Sequence, residues 1–279
     1  MERSPLPPPI IHEPRAAVPV LLSVPHSGRE YPQWLIANAT AGRAALESLE
    51  DPLVDRLVWR ALSRGIGAVV ARAPRAAVDC NRADDEIDPA VILGAGRDAV
   101  GARARGGLGI VPSRSVSHGR LWRGPIDQAE LERRVAEAHR PFHQAVANHL
   151  ESLAAHHGQA LLLDCHSMPR RSGQAEIVIG DRHGSSAAPW LTEEAARIVR
   201  SNGWSAAINH PYAGGHVVER HGRPDRGIHA IQIEIDRSCY LARDMRSPGP
   251  GFDRVARLVE QLAVGLAEAL AAPGAIAAE

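Results

Sequence analysis

The chain lacks net charge, paired cysteines and any long hydrophobic run. Lysine plus arginine equals aspartate plus glutamate, at 32 each, so no overall field draws it to nucleic acid or an anionic membrane. The basic side chains are arginines rather than lysines, and alanine is abundant. A GC-rich coding bias explains both as well as any function does. Cys80, Cys165 and Cys239 are odd in number, scattered, and form no CxxC. A disulfide framework is therefore excluded, and free thiols in a reducing cytosol are expected. No apolar run is long enough for a membrane span. The opening Met1-Glu-Arg-Ser-Pro-Leu-Pro-Pro-Pro9 has no apolar signal-peptide core. A cytoplasmic location is expected, with no nucleic-acid or membrane partner. No internal repeat or linker stands out. Neither Ser27 nor Ser167 lies in a Gly-x-Ser-x-Gly elbow, which weakens a serine-nucleophile reading.

What is present reads as alternating strands and helices. At 279 residues the chain can bury a large core. Residues 1–17 form a Pro-rich lead-in, and 18–275 are expected to form a single domain. Strands are predicted at 18–25, 66–71, 77–80, 160–165, 176–180, 205–209 and 227–235. Helices are predicted at 51–64, with Pro52 in its first turn and Gly65 as its stop, and at 126–156, 188–202 and 252–271. Residues 84–124, rich in Gly, Arg and Asp, read as a long excursion over the active face. This order argues for the α/β class with a mixed, largely parallel sheet.

The chemistry gathers at strand ends. Ala160-Leu-Leu-Leu163 is an apolar run that stops at Asp164 and His166, and Val20-Leu-Leu-Ser-Val24 stops before His26. Ligands of open α/β sheets bind at the carboxyl ends of strands. Two strand-end histidines and one carboxylate would make a three-ligand zinc site with a position left for water. The carboxylate could be Asp51, read as the cap of the 51–64 helix, or Asp55 four residues on, with Glu30 a weaker rival. In Ile231-Gln-Ile-Glu-Ile-Asp236 the isoleucines take one face and Gln232, Glu234 and Asp236 the other. Beside a metal, Glu234 becomes the general base; alone, a buried salt bridge explains it equally well. Asn81 and Arg82 end the 77–80 strand, and arginine matches a carboxylate bidentately. Gly214 and Gly215 let backbone approach a ligand, or simply make a turn.

Six segments in register resemble the N-formylglutamate amidohydrolase family: Val24-Pro-His-Ser-Gly28, Asp51 to Leu57, Arg75 to Arg82, Asp164 to Pro169, Asn209 to Gly215, and Gly227 to Arg237. The resemblance runs from about residue 18 to about residue 270. It implies a three-layer α/β/α sandwich similar to zinc exopeptidases, distantly like the zinc carboxypeptidases and aspartoacylases. It implies a Zn2+-dependent amidohydrolase whose substrate is a small N-acyl amino acid. The type reaction turns N-formyl-glutamate into formate and glutamate, the last step of one histidine-degradation route. His26, Asp51 and His166 match the metal ligands and Glu234 the catalytic glutamate. Asn81 and Arg82 match a carboxylate-gripping pair, and Arg123 and His139 are candidates for a second carboxylate. Asp164 is a candidate to orient His166. The alternatives are a related zinc hydrolase of another N-acyl amino acid or small peptide, and a non-catalytic metabolite-binding protein.

Overall fold

Strand formation follows the apolar runs. In this computed structural model, which describes residues 3–96 and 101–272, nine strands form. They are β1 Ile10–His12, β2 Val20–Val24, β3 Gly67–Val70, β4 Arg114–Ser115, β5 Gly119–Arg120, β6 Ala160–Met168, β7 Ile177–Gly180, β8 Ala206–Ile208 and β9 Ile228–Asp236. The α-helices are α1 Gln33–Asn38, α2 Gly42–Glu47, α3 Val54–Leu57, α4 Trp59–Ser63, α5 Ala102–Arg105, α6 Gln128–Arg134, α7 Arg140–His157, α8 Pro189–Ser201, α9 His216–His221 and α10 Phe252–Ala271.

The chain divides into two compact units. One comprises Ile11–Val24, Asp51–Val69 and Ala145–Glu279. It is built on a seven-stranded sheet of order β1-β3-β2-β6-β9-β7-β8. β6 pairs in parallel with β2 and with β9, and β7 in parallel with β8, while β7 runs antiparallel to β9. The sheet is therefore mixed and largely parallel, as the sequence predicts. Every residue of β2, β6 and β7 is buried, so both faces of these strands are covered. α10 packs on β2, α3, α4 and α8, and α9 on β6 and β9. The apolar stripe of α10, from Val255 through Leu262 and Leu266 to Leu270, turns inward at helical spacing.

The other unit comprises Met1–Ile10, Pro25–Glu50 and Val70–Gln144. It has little sheet. Its core gathers Leu35, Leu46, Val78, Ile92, Ile110, Leu121, Trp122 and Leu131 from short helices and turns. Arg134 is buried there, bonded to Glu130 and the Ala77 carbonyl.

Several local readings change. β6 extends past Cys165 to Met168, because Ser167 and Met168 stay in register with Ile235 and Asp236 of β9. The predicted 51–64 helix starts at Val54 and breaks at Val58, since Leu53 adopts a left-handed backbone with φ of 61°. Asp51 therefore caps no helix. Residues 77–80 are turns rather than a strand: Ala77 and Val78 donate to the Pro74 carbonyl, and Asp79 to that of Ile110. The 126–156 helix is three segments, α6, a π-helical turn Val135–His139, and α7, with Asp127 capping α6 through the Glu130 amide. The excursion read at 84–124 contains α5 and the β4–β5 hairpin; its residues 97–100 lie outside the described residues. Among the described residues, no helix is long and apolar enough to cross a membrane.

Leu162 is fully buried in the middle of β6. Leu162→Ala should cost about 2–5 kcal/mol, read as a lower urea midpoint with unchanged slope. A shift equivalent to less than about 1 kcal/mol would show that the centre of β6 is not the core of its unit.

Candidate functional site

Strand register assembles the polar groups of the sheet unit. Paired residues share a face of the sheet, and β6 pairs Asp164 with Ser23 and Gln232, and His166 with Glu234. Ser23, Asp164, His166, Gln232 and Glu234 thus stand together at the carboxyl ends of β2, β6 and β9. Ser23 Oγ donates to Asp164 Oδ1 at 2.7 Å, and His166 Nε2 lies 2.8 Å from Asp164 Oδ2. Asp51 approaches from the turn before α3, its Oδ2 at 3.1 Å from His166 Nδ1. Arg237 follows β9 and donates to Asp51 Oδ1 at 3.0 Å and to Ser167 Oγ at 3.1 Å. Gln232 donates to Glu234 Oε1 at 2.9 Å and accepts the Gly215 amide at 2.8 Å.

Electrostatics follow from burial. Asp51, Asp164 and His166 are each at most 2 % exposed. Burial alone would pull the His166 pKa down. The Asp164 charge and hydrogen bond, then the Asp51 hydrogen bond, outweigh it and hold the imidazole well above its usual range. Glu234 is half-buried. Cys165, between Asp164 and His166 in sequence, points to the other side of the pleat; its thiol bonds the Leu163 carbonyl, and burial pushes its pKa up.

In the other unit, His26 follows the end of β2 by two residues, and its Nε2 lies 2.7 Å from Asp79 Oδ1. Asp79 also accepts the Asn81 amide at 2.8 Å and Arg75 Nε at 2.9 Å. Complete burial favours the neutral acid, but Arg75, His26 and Arg82 hold its carboxyl well below the usual range. The backbone at Gly28 runs so close to the Ala73 carbonyl that no side chain fits. Arg82, buried, donates to the Leu108 and Asn81 carbonyls at 2.7 and 2.6 Å. Its own carbonyl lies 2.8 Å from His139 Nε2.

The sequence-predicted residues thus separate by environment. Asp51, His166 and Glu234 share the strand ends of one unit, with Gly215 reaching Glu234 through Gln232. Gly214, at φ of 117°, has no space for a side chain against Val218. His26, Asn81, Arg82 and His139 lie around Asp79 and its neighbours in the other. Arg123 is exposed and donates to the Ala37 carbonyl at 3.1 Å. Asp55 sits in the first turn of α3, and Glu30 is paired with Arg72 at the surface. Asp79 and Arg237 escaped the reading of individual residues. The signal was a carboxylate framed by apolar residues in Val78-Asp-Cys80, and a guanidinium next to the end of an apolar strand.

A mixed α/β sheet with histidine and carboxylates at the carboxyl ends of parallel strands is the layout of an α/β enzyme that works on polar ligands. The N-formylglutamate amidohydrolase family model matches residues 18–241, and the chain belongs to that family. An N-formylglutamate deformylase of Pseudomonas aeruginosa is 28% identical over 236 residues, 81% of this chain and 84% of its own. One of Pseudomonas putida is 27% identical over 237 residues, 80% and 82% of the two chains. The crystal structure of an N-formylglutamate amidohydrolase from Ralstonia eutropha JMP134 matches with a TM-score of 0.86 and 30% identity, over 94% of this chain and 98% of that one. Gene product Atu2144 of Agrobacterium tumefaciens shares the fold at a TM-score of 0.66 and 19% identity, over 94% and 96%.

The His166 shift has a pH signature in metal-free protein. A raised folded pKa contributes stability that is complete below about pH 6.5 and is lost as pH rises through the folded value. Urea midpoints of chelator-treated wild type should fall over that rise, and those of His166→Asn should fall less. Identical pH profiles would show that His166 holds no extra proton.

Proposed function

We propose that this protein hydrolyses N-formyl-L-glutamate to formate and L-glutamate, using a divalent metal, zinc first, held by His26, Asp51 and His166. The observation that carries the reading is the buried Asp51–His166 pair at the strand ends, in a chain whose relatives are named N-formylglutamate deformylases. Two imidazoles and one carboxylate, all buried, are a donor set that suits zinc and leaves a position for water. Asp79 and Asp164 lie at the Nε2 edges of His26 and His166, as carboxylates do behind metal-bound imidazoles, which supports the reading that these two rings would hold the metal.

When bound, the metal supplies an acidified water and polarises the formyl carbonyl. The chain's own groups do the rest. Glu234, half-buried and steadied by Gln232, takes a proton from the attacking water and returns it to the departing glutamate nitrogen. Arg82 and Asn81 bind the α-carboxylate and fix the formyl group for attack. His139 and Arg123 are assigned to the second carboxylate, and Gly214 and Gly215 to the loop lining the substrate. The reaction fits the last step of histidine degradation in the cytoplasm.

Purified protein should release formate from N-formyl-glutamate, lose that activity to a chelator and regain it with zinc. Chelator-resistant turnover would remove the metal from the mechanism. Glu234→Gln should keep its zinc and lose about 10²–10⁴ in kcat; retained kcat would remove it as the base. Asp51→Ala should lose zinc by elemental analysis while Asp55→Ala keeps it, and the reverse would exchange their roles.

A further inference from the structure

The turn carrying Asp51 is an odd place for a metal ligand. It is neither strand nor helix cap. Leu53 holds a left-handed conformation that a branched-chain residue adopts at a cost of about 1 kcal/mol. Asp51 therefore depends on contacts from elsewhere in its unit to hold its orientation. The segment Arg237–Tyr240, directly after β9, supplies two. Arg237 Nη2 donates to Asp51 Oδ1 at 3.0 Å, with its Nε on Ser167 Oγ at 3.1 Å. Tyr240, fully buried, donates its hydroxyl to the Pro52 carbonyl at 2.7 Å. Side chain and backbone of the same turn are thus gripped from one short segment.

We propose that Arg237 and Tyr240 are positioning residues for Asp51: Arg237 reserves Oδ1 so that Oδ2 alone serves as ligand, and Tyr240 fixes the backbone from which the carboxylate projects. The inference rests on the metal reading above. The two oxygens of Asp51 already have different partners, Arg237 on Oδ1 and His166 Nδ1 on Oδ2. A forked guanidinium bonded to both Asp51 and Ser167 fixes rotation of the carboxylate in a way a point charge does not. Arg237 also brings a fixed positive charge to Asp51, which is buried close to the equally buried Asp164.

The test is zinc affinity, measured on chelator-stripped protein against a competing chromophoric chelator, alongside the thermal midpoint of the stripped protein. Arg237→Met should weaken zinc binding about 10–100-fold, the usual effect of losing a partner behind a ligand. Arg237→Lys keeps the charge but loses the fork, and should also weaken binding. Tyr240→Phe should weaken it to a smaller degree. A merely structural role would lower the thermal midpoint and leave affinity at the wild-type value, which would overturn the proposal. So would tighter binding by Arg237→Met, because Arg237 would then act only as a repelling charge. If Arg237→Met does not fold, Arg237→Lys decides the matter by the same criterion. Wild-type protein that takes up no zinc would instead overturn the metal reading itself.

Discussion

The structure turns on one imidazole held between two buried carboxylates. His166 sits between Asp164 on its own strand and Asp51 from a turn, and water reaches almost none of the three. Uncompensated, two negative charges in such surroundings are costly, and breaking one buried pair typically costs about 3–5 kcal/mol. The fold has to deliver positive charge here. It does so with the guanidinium of Arg237 on Asp51, while the two carboxylates raise the pKa of His166.

The other unit solves a similar problem around Asp79. That carboxylate is wholly buried and receives His26, Arg75 and the Asn81 amide. Each unit therefore builds a carboxylate–imidazole pair from its own residues, each with an arginine on one of its carboxylates. The two differ in origin. His166 is delivered by a regular strand whose register fixes its neighbours, whereas Asp79 is delivered by consecutive turns from Pro74 to Arg82.

That contrast explains what could be read in advance. Continuous apolar runs revealed β2 and β6, alternation of isoleucine with polar residues revealed β9, and helical spacing revealed α10, so the strand-end residues His166 and Glu234 were legible. The mixed sheet followed from the same order. Turn-built parts were less so. Ala76-Ala-Val78 has enough apolar character to imitate a strand, and only the amide bonds to Pro74 show the turn. Asp51 followed by Pro52 imitates a helix start, and nothing local announces that Leu53 will turn left-handed. The short α1, α2 and α9 carry too few turns for periodicity to register. Arg237 was visible as a residue but not as a partner, because its target lies 186 positions away.

The pleat of β6 has one more consequence. Asp164 and His166 face one side, so the thiol between them is turned to the other, bonded to the Leu163 carbonyl and kept protonated by burial. Asp164 and His166 offer oxygen and nitrogen there, and the thioether of Met168, on the same face, accepts from Gln174 Nε2 instead. A thiolate one residue over would have favoured soft ions such as Cu(I). Half a pleat of rotation thus keeps the one thiol of this strand away from its carboxylate and imidazole.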